Sequence, residues 1–202
     1  SENKKEIQWV RELEPQSTCY GDAYNRYGLF GQTPTLMAHC CYSDGEELQL
    51  LRDNGVYVVH CPTSNCNLAS GIAPIRRFLQ AGIPVVLGSD IAAGHHLSIF
   101  RVMQYAVQMS KLQYALTDGK YPFLTLSEVF YMATKAGGAF FGKVGSFEKG
   151  YAFDALVIDD RSLSPDTLIT SSLIHRLERF IYMGDDRHIA HRFCQGKQIT
   201  IS

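Results

Sequence analysis

Three polar side chains follow three apolar segments of the chain and could carry metal or proton chemistry. His39 follows the apolar segment 35–38, His60 ends the segment 56–60, and Asp90 comes shortly after the segment 83–88. A single histidine at a strand end is commonly structural, because its ring nitrogens can bond loop backbone. Three such residues in succession indicate a shared edge of a sheet, which is where α/β barrels place their active sites.

Asp90 is the most specific of these candidates. A carboxylate directly after a buried strand must find a cation, a metal or several donors, since burying it unpaired is costly. Its alternative role is to cap the loop that follows. Histidine and carboxylate ligands from separate strands form catalytic zinc sites, which leave one position open for water. Asp90 would then be a ligand, with His39 as its neighbour or a second ligand.

The remaining histidines give weaker signals. A zinc site needs three or four protein ligands, and the sequence contains no His-x-His pair. His95 and His96 are adjacent, so that on a helix or strand their side chains would point apart. We interpret them as loop residues that could line the pocket.

The elements that must position these residues alternate along the chain. Apolar segments 35–39, 56–60 and 83–88 predict strands. Helical spacing of apolar residues predicts helices over 74–81 and 97–112. Two further helices are predicted to begin at capping boxes, one from 43–46 to Asn54 and one over 126–141. A polar loop is predicted for 61–71. Strands that are apolar throughout and separated by helices indicate a parallel sheet covered on both faces, in a parallel barrel or a doubly wound fold.

The pattern changes from Gly145 onward. Segments 151–158, 180–183 and 198–201 predict short strands, so the last part of the chain is predicted to be part of a small β domain appended to the α/β region.

Composition narrows the class of protein. The 202 residues carry 19 basic and 20 acidic side chains, a formal charge of -1, which argues against nucleic acid or an anionic membrane as a partner. The apolar runs are too short to span a membrane, and the first residues lack the apolar stretch of a signal peptide, so a cytoplasmic location is expected. The six cysteines are interpreted as free thiols in a reducing compartment.

Several motifs together resemble the metal-dependent amidohydrolase superfamily and, within it, the guanine deaminase family. Residues 37–40 resemble the sixth barrel strand with its histidine, His60-Cys61-Pro62-Thr63-Ser64-Asn65 resembles the seventh-strand loop, and 87–94 resembles the eighth strand with its metal aspartate. Ser1-Glu2-Asn3 resembles the end of a His-x-x-Glu motif. The segment 182–189, Tyr-Met-Gly-Asp-Asp-Arg-His-Ile, is similar to one found in guanine deaminases.

The resemblance implies roles for these residues. Asp90 would bind zinc and accept a proton from water, His39 would hydrogen-bond that water or the tetrahedral centre, and Glu2 would carry the proton to the purine. His60, Ser64, Asn65 and His95 are the candidate substrate-pocket residues. The implied reaction is hydrolytic deamination of guanine, a small purine, to xanthine and ammonia, an extension of the chemistry of other zinc nucleobase deaminases.

The implied fold class is α/β: the C-terminal half of a TIM-like (β/α)8 amidohydrolase barrel over 1–144, followed by part of a small β-sandwich domain over 145–202. One zinc ion is implied, with its other ligands expected upstream of Ser1. The isolated chain would therefore need the N-terminal half of the barrel for activity, and the family implies a homodimer.

Three alternatives stay open. Another amidohydrolase, such as an adenosine-type deaminase or a chlorohydrolase-like enzyme, shares the same metal machinery. A catalytically silent scaffold would keep the barrel architecture for association. A thiol-based redox role for Cys40 and Cys41 is the third.

Overall fold

The computed structural model describes residues 4–163 and 172–200, and the chain forms two compact units. One unit extends to Thr125 and the other begins at Leu126. The functional division proposed from the sequence, with a boundary between 144 and 145, stays a prediction. No helix among the described residues is both long and apolar enough to cross a membrane.

The first unit is built on a parallel sheet of three strands. Strands β1 (Leu36–Ala38), β2 (Tyr57–His60) and β3 (Val85–Leu87) lie in the order β1-β2-β3, with Val58 opposite both Met37 and Val85. This confirms the predicted parallel pairing. Because all three strands point the same way, their carboxyl ends meet at one edge of the sheet.

Six helices accompany this sheet: α1 (Lys4–Leu13), α2 (Tyr20–Arg26), α3 (Gly45–Asp53), α4 (Pro62–Asn67), α5 (Ile75–Gln80) and α6 (Ile99–Leu116). Helices α5 and α6 both contact β3. The buried core includes Val58 of β2, Phe78 of α5 and Val102 of α6, none of which is exposed to solvent. The apolar stripes that predicted α5 and α6 thus supply buried residues next to the sheet.

The helix α3 begins differently from the prediction. Asp44, not Ser43, is its N-cap residue, and no side chain caps the helix, so the predicted capping box does not form. Ser43 is buried, and its hydroxyl hydrogen-bonds the thiol of Cys40 instead. The turn after the helix matches the prediction, since Asn54 caps it and Gly55 adopts a positive φ of 61°.

The predicted loop over 61–71 is wrong for its first half, because it contains the short helix α4. Pro62 occupies the first helical turn, where the missing N–H and the fixed φ of proline are favourable. Apart from Pro62, the buried residues of this helix are polar, namely Thr63, Ser64 and Asn65. An apolar stripe, which is the usual sign of a buried helix, is therefore absent from the sequence here.

The second unit begins with a continuous helical segment. It consists of α7 (Leu126–Tyr131), a π-helical turn (Met132–Ala136) and α8 (Gly137–Ala139). This confirms the helix predicted over 126–141, although it ends at Ala139 and widens into a π-helical turn in its middle. Of the residues that the spacing placed on the inner face, Val129 is buried but Phe130 is 37% exposed, and Met132 is buried instead.

An antiparallel sheet follows in the second unit. It consists of β4 (Ala155–Ile158), β5 (Ile189–Cys194) and β6 (Lys197–Ile199), in that order. Short 3₁₀ turns lie at Arg161–Leu163 and Asp186–His188. The strands predicted over 151–158 and 198–201 are present in shorter form within the described residues.

The strand predicted over 180–183 is wrong, because these residues end the helix α9 (Leu173–Met183). Phe180 and Ile181 are the buried residues of that helix. Leu173 and Leu177 precede them at helical spacing. The segment 173–183 as a whole therefore indicates a helix, whereas the four apolar residues 180–183 taken alone resemble a strand.

Candidate active site

Two of the predicted residues, His39 and Asp90, sit in strained backbone at the carboxyl edge of the parallel sheet. His39 follows β1 with a φ of 68°, Cys40 has a φ of 49°, and Asp90 follows β3 with a φ of 48°. The left-handed region costs a residue with a Cβ about 1–2 kcal/mol. Non-glycine residues held in this conformation at the ends of β1 and β3, the two strands that flank β2, are typical of functional sites, where backbone strain orients a side chain.

His39 and Asp90 face each other. The distance from His39 Nε2 to Asp90 Oδ2 is 3.6 Å, and their side chains are 41% and 35% exposed. A polar contact this long and this exposed contributes little to stability, whether or not the ring is protonated. Because neither group is committed to a strong partner on this side, both can act on a cation or a substrate.

The other nitrogen of His39 is occupied. His39 Nδ1 lies 2.9 Å from Oδ1 of Asn65, on helix α4, and the backbone N–H of His39 donates to the carbonyl of Val59 at 3.0 Å. Asn65 is only 3% exposed. The imidazole is therefore anchored at its inner nitrogen and presents its outer nitrogen, Nε2, to Asp90.

Helix α4 buries three polar side chains beside this site. Thr63, Ser64 and Asn65 are at most 3% exposed, and Thr63 Oγ1, Ser64 Oγ and Asn65 Nδ2 have no hydrogen-bond partner within the described part of the chain. Buried polar atoms are nearly always paired in folded proteins. Their concentration in one short helix marks this region as one selected for something other than stability.

A tight loop holds Asp90. Gly94 N–H donates to the Asp90 carbonyl at 2.6 Å, and Asn67 Nδ2 donates to the Ala93 carbonyl at 2.7 Å. A Cβ on Gly94 would lie 1.9 Å from the carbonyl oxygen of Ser89, so only glycine fits. Neither Asn67 nor Gly94 was singled out as an individual site residue from the sequence, although Gly94 belongs to the segment 87–94 that carried the resemblance.

His95 lies on the same loop but has other partners. Its Nδ1 is 3.0 Å from Asn67 Nδ2, and its Nε2 is 3.4 Å from the hydroxyl of Tyr105 on α6. The ring of His96 is 4.2 Å away, centroid to centroid. His95 is exposed, so its predicted place in the substrate pocket stays a prediction.

His60 is separated from the other two candidates. It is 2% exposed and lines a cavity of about 10 Å³ together with Ile75 of α5, Met109 of α6 and Leu124. Burial lowers the pKa of His60 to about 3, so the ring is neutral near neutral pH. The structure thus brings His39 and Asp90 together and places His60 between the sheet and its helices.

The cysteines near the site are protonated thiols. All six cysteines are free, which confirms the prediction from their spacing. Burial raises the pKa of Cys40 to about 12 and, with the nearby charge of Asp90 as a second cause, raises the pKa of Cys61 to about 12. A thiol needs to ionise to act as a nucleophile or metal ligand. Burial also raises the pKa of Cys41, so the described surroundings of Cys40 and Cys41 disfavour the redox alternative.

The donor types at the edge suit a zinc ion in part. Among residues 4–163 and 172–200, no group of three or more His, Cys, Asp and Glu side chains could hold a metal. Asp90 and His39 supply one carboxylate and one imidazole nitrogen, both partly exposed and converging. These are zinc ligands by chemistry, and the anchored Nδ1 is what zinc-binding histidines commonly show. The pair fits a portion of a zinc site.

An open groove of about 700 Å³ adjoins His39 and runs along β1. Its lining includes His39, Cys41, Leu36 and the buried carboxylate of Glu47, with Tyr20 and Tyr24 from α2. Glu47 accepts a hydrogen bond from Gly21 N–H at 2.6 Å. Glu2 lies outside the described residues, so its predicted proton-shuttle role stays a prediction.

Comparison with known proteins identifies relatives of the whole chain. The sequence profile of the amidohydrolase family matches residues 1–199. Guanine deaminase of Dictyostelium discoideum is 35% identical over 204 residues, which cover 98% of this chain and 45% of that protein. The chain thus spans about half the length of the curated relatives it matches.

Solved structures show the same likeness. A crystal structure of guanine deaminase from C. acetobutylicum with guanine bound in its active site superposes with a TM-score of 0.93 at 56% identity, covering 99% of this chain and 47% of that one. A zinc-bound adenosine deaminase from Xanthomonas campestris superposes with a TM-score of 0.73 at 26% identity, covering 95% of this chain and 42% of that one.

Proposed function

Because the chain belongs to the amidohydrolase family, we propose that it supplies one part of the active site of a zinc-dependent enzyme that hydrolyses guanine to xanthine and ammonia. The observation that carries this proposal is the His39–Asp90 pair at the strand ends, in a chain that matches a guanine-bound guanine deaminase along 99% of its length. The fold is of the amidohydrolase type, with mixed α/β content.

The three parallel strands would form part of a TIM-like barrel. A barrel of this kind has eight parallel strands, and the described part of the chain has three, of which β1 and β3 each have one unpaired side in the sheet. We propose that further polypeptide supplies the other strands and the remaining metal ligands. The antiparallel sheet β4–β6 would then be part of a flanking β-sandwich.

Each residue of the pair has a distinct task in this proposal. Asp90 would bind the metal through its carboxylate and take up a proton from the attacking water, which is the work of a general base. His39 would direct Nε2 at the same water or at the oxygen that develops charge on the purine. When bound, the zinc ion lowers the pKa of water towards neutrality and so supplies the nucleophile.

Proton delivery to the purine is assigned to Glu2. A non-ligand carboxyl group that carries the proton to a ring nitrogen and then to the leaving amine completes the deamination. Ser64 and His95 remain candidate pocket residues in this proposal. A cytoplasmic location and a homodimer also stay predictions. In helix α6 the buried residues are Val102, Met103, Ala106 and Val107. Their burial favours packing of that helix within its own unit over a contact between two subunits.

Deamination of adenosine-type substrates is the second candidate. It is favoured by the likeness to a zinc-bound adenosine deaminase, and the described residues of the pair handle only the metal and the water. Discrimination between purines would come from other side chains.

Ammonia release from a panel of substrates tests the proposal. The full-length protein would be assayed with guanine, adenine, adenosine and cytosine, with Asp90→Asn as the inactive control. We expect kcat/KM for guanine to exceed that for each other substrate at least about tenfold, a difference that a few hydrogen bonds to the base provide. Activity on adenosine alone would establish the second candidate instead, and a folded protein inactive on every substrate would favour the scaffold.

A further inference from the structure

We infer that Asn65 is a positioning residue that fixes the tautomer of His39. Asn65 Oδ1 lies 2.9 Å from His39 Nδ1. An amide oxygen can only accept a hydrogen bond, so Nδ1 must carry a proton. In the neutral ring this leaves the lone pair on Nε2, the nitrogen that faces Asp90 at 3.6 Å.

The side-chain amide of Asn65 can fix this tautomer because the residue itself is held in place. Both its backbone N–H and its backbone carbonyl form hydrogen bonds. Asn65 N–H donates to the Cys61 carbonyl at 3.0 Å, and the Asn65 carbonyl accepts from Ser70 N–H at 2.9 Å. The side chain itself is 3% exposed and therefore competes with little water for His39. A rigid acceptor in a dry setting defines a ring orientation better than solvent does.

The cost of this arrangement indicates that it is functional. Asn65 Nδ2 is buried and has no partner within the described residues. A buried donor left unpaired carries a free-energy cost for folding. A leucine of similar volume would avoid that cost, so the fold alone does not call for asparagine at this position.

The consequence for chemistry concerns Nε2 of His39. A bare Nε2 can accept a hydrogen bond from water or bind a metal, whereas the other neutral tautomer presents an N–H there and can do neither. Outer hydrogen bonds that fix a histidine in this way typically change activity or metal affinity about 10–100-fold when removed. The kinetic part of this inference rests on the proposed function, and the tautomer does not.

Nitrogen NMR of the ¹⁵N-histidine-labelled full-length protein tests the tautomer without any assay of activity. Spectra would be taken at about pH 8.5, where a free imidazole is neutral, and the His39 signals would be assigned by their loss in His39→Gln. We expect a protonated Nδ1 and a bare Nε2 in the unmodified protein and in Asn65→Asp, which keeps the acceptor. In Asn65→Leu we expect the Nε2–H form to appear.

Thr63→Val is the matched control. Thr63 is also fully buried on α4 with an unpartnered Oγ1, and no hydrogen bond joins it to His39 among the described residues. We expect it to leave the His39 signals unchanged. Asn65→Leu should lower kcat about 10–100-fold, with KM and thermal midpoint nearly unchanged or the midpoint raised, and Asn65→Asp should restore most of kcat.

Two results would overturn the inference. One is a bare Nδ1 in the unmodified protein, which would mean that the amide is reversed and donates to His39. The other is a tautomer that Asn65→Leu leaves unchanged. If the NMR result holds and no substrate is deaminated, the proposed function fails and the tautomer assignment stands.

Discussion

Asp90 in the first unit and two aspartates in the second unit have opposite surroundings. In the second unit, Arg161 donates hydrogen bonds to both carboxylate oxygens of Asp159 at 2.5–3.1 Å. Arg187 donates in the same way to both carboxylate oxygens of Asp185 at 2.7–3.2 Å. The hydrogen bonds from Arg161 lower the pKa of Asp159 to about 2, and those from Arg187 lower the pKa of Asp185. In the first unit, the one ion-pair partner of Asp90 within the described residues is His39, at 3.6 Å.

This difference distinguishes carboxylates that stabilise the fold from a carboxylate that is available for chemistry. A carboxylate held by a bidentate arginine has its lone pairs occupied and its place fixed. Asp90 instead sits in a left-handed backbone conformation, in a loop that only a glycine allows, and keeps its oxygens free. If this distinction holds, substitutions at the carboxyl edge of the parallel sheet should lower activity, and substitutions of the arginine-paired aspartates should affect only stability.

Asp90→Asn should have the largest effect. An amide of the same shape cannot take up a proton and is a poor metal ligand, so we expect kcat/KM for guanine to fall about 10⁴-fold, the upper end for loss of a general base. The Asp159→Asn variant is the matched control, and its activity should stay within about twofold. Equal losses in the two variants would remove the distinction between the units.

His39→Asn should lower kcat about 100-fold, the lower end for a group that directs a proton or a water. The change removes the ring while keeping a small polar side chain in a partly exposed position, so the thermal midpoint should change little. His191→Asn, on the exposed strand β5, serves as the control and should be fully active. Full activity in His39→Asn would show that the edge histidine is structural.

His60 should act on stability and not on chemistry. Its folded pKa is about 3, against 6.5 for a free histidine. Below pH 6.5 the unfolded state binds a proton that the folded state does not. The free energy of unfolding should therefore fall as pH is lowered, by roughly 2 kcal/mol between pH 6.5 and about pH 5.

Denaturant unfolding of His60→Gln over this pH range measures that contribution. The variant should lose most of the acid sensitivity that the unmodified chain shows, since glutamine does not titrate. The same slope in both proteins would mean that His60 is not buried as a neutral ring.

Gly94→Ala should have the smallest effect on rate, about tenfold in kcat, because the new Cβ pushes against the Ser89 carbonyl and shifts the loop that holds Asp90. We also expect a loss of about 1–3 kcal/mol in unfolding free energy, as for other overpacked positions. Gly196→Ala, in the turn between β5 and β6, is strained only by its φ of 77° and should cost stability without changing kcat.

Sequence patterns predict the positions of His39 and Asp90 because strand ends are marked by a change from apolar to polar residues. The three parallel strands follow from the same signal, since a strand buried on both faces is apolar throughout. The burial of His60 does not follow, because a histidine that ends an apolar segment looks the same whether it faces the site or the helices.

Sequence patterns cannot predict contacts between residues that are far apart in the chain. Asn65 and His39 are 26 residues apart, and their hydrogen bond exists only because β1 and α4 are adjacent in the fold. Helix α4 was missed because its buried side chains are polar, which is the opposite of what periodicity detects. The segment 180–183 was too short to distinguish strand from helix without the residues before it.

The location of bound zinc tests the central claim most directly. Anomalous diffraction at the zinc edge from crystals of the full-length protein would place the ion without reference to activity. We expect it within about 2.0–2.2 Å of an Asp90 carboxylate oxygen, the usual Zn–O distance, on the side that His39 Nε2 faces. Zinc bound away from the carboxyl edge of the parallel sheet, or crystals grown with zinc that hold none there, would contradict the account.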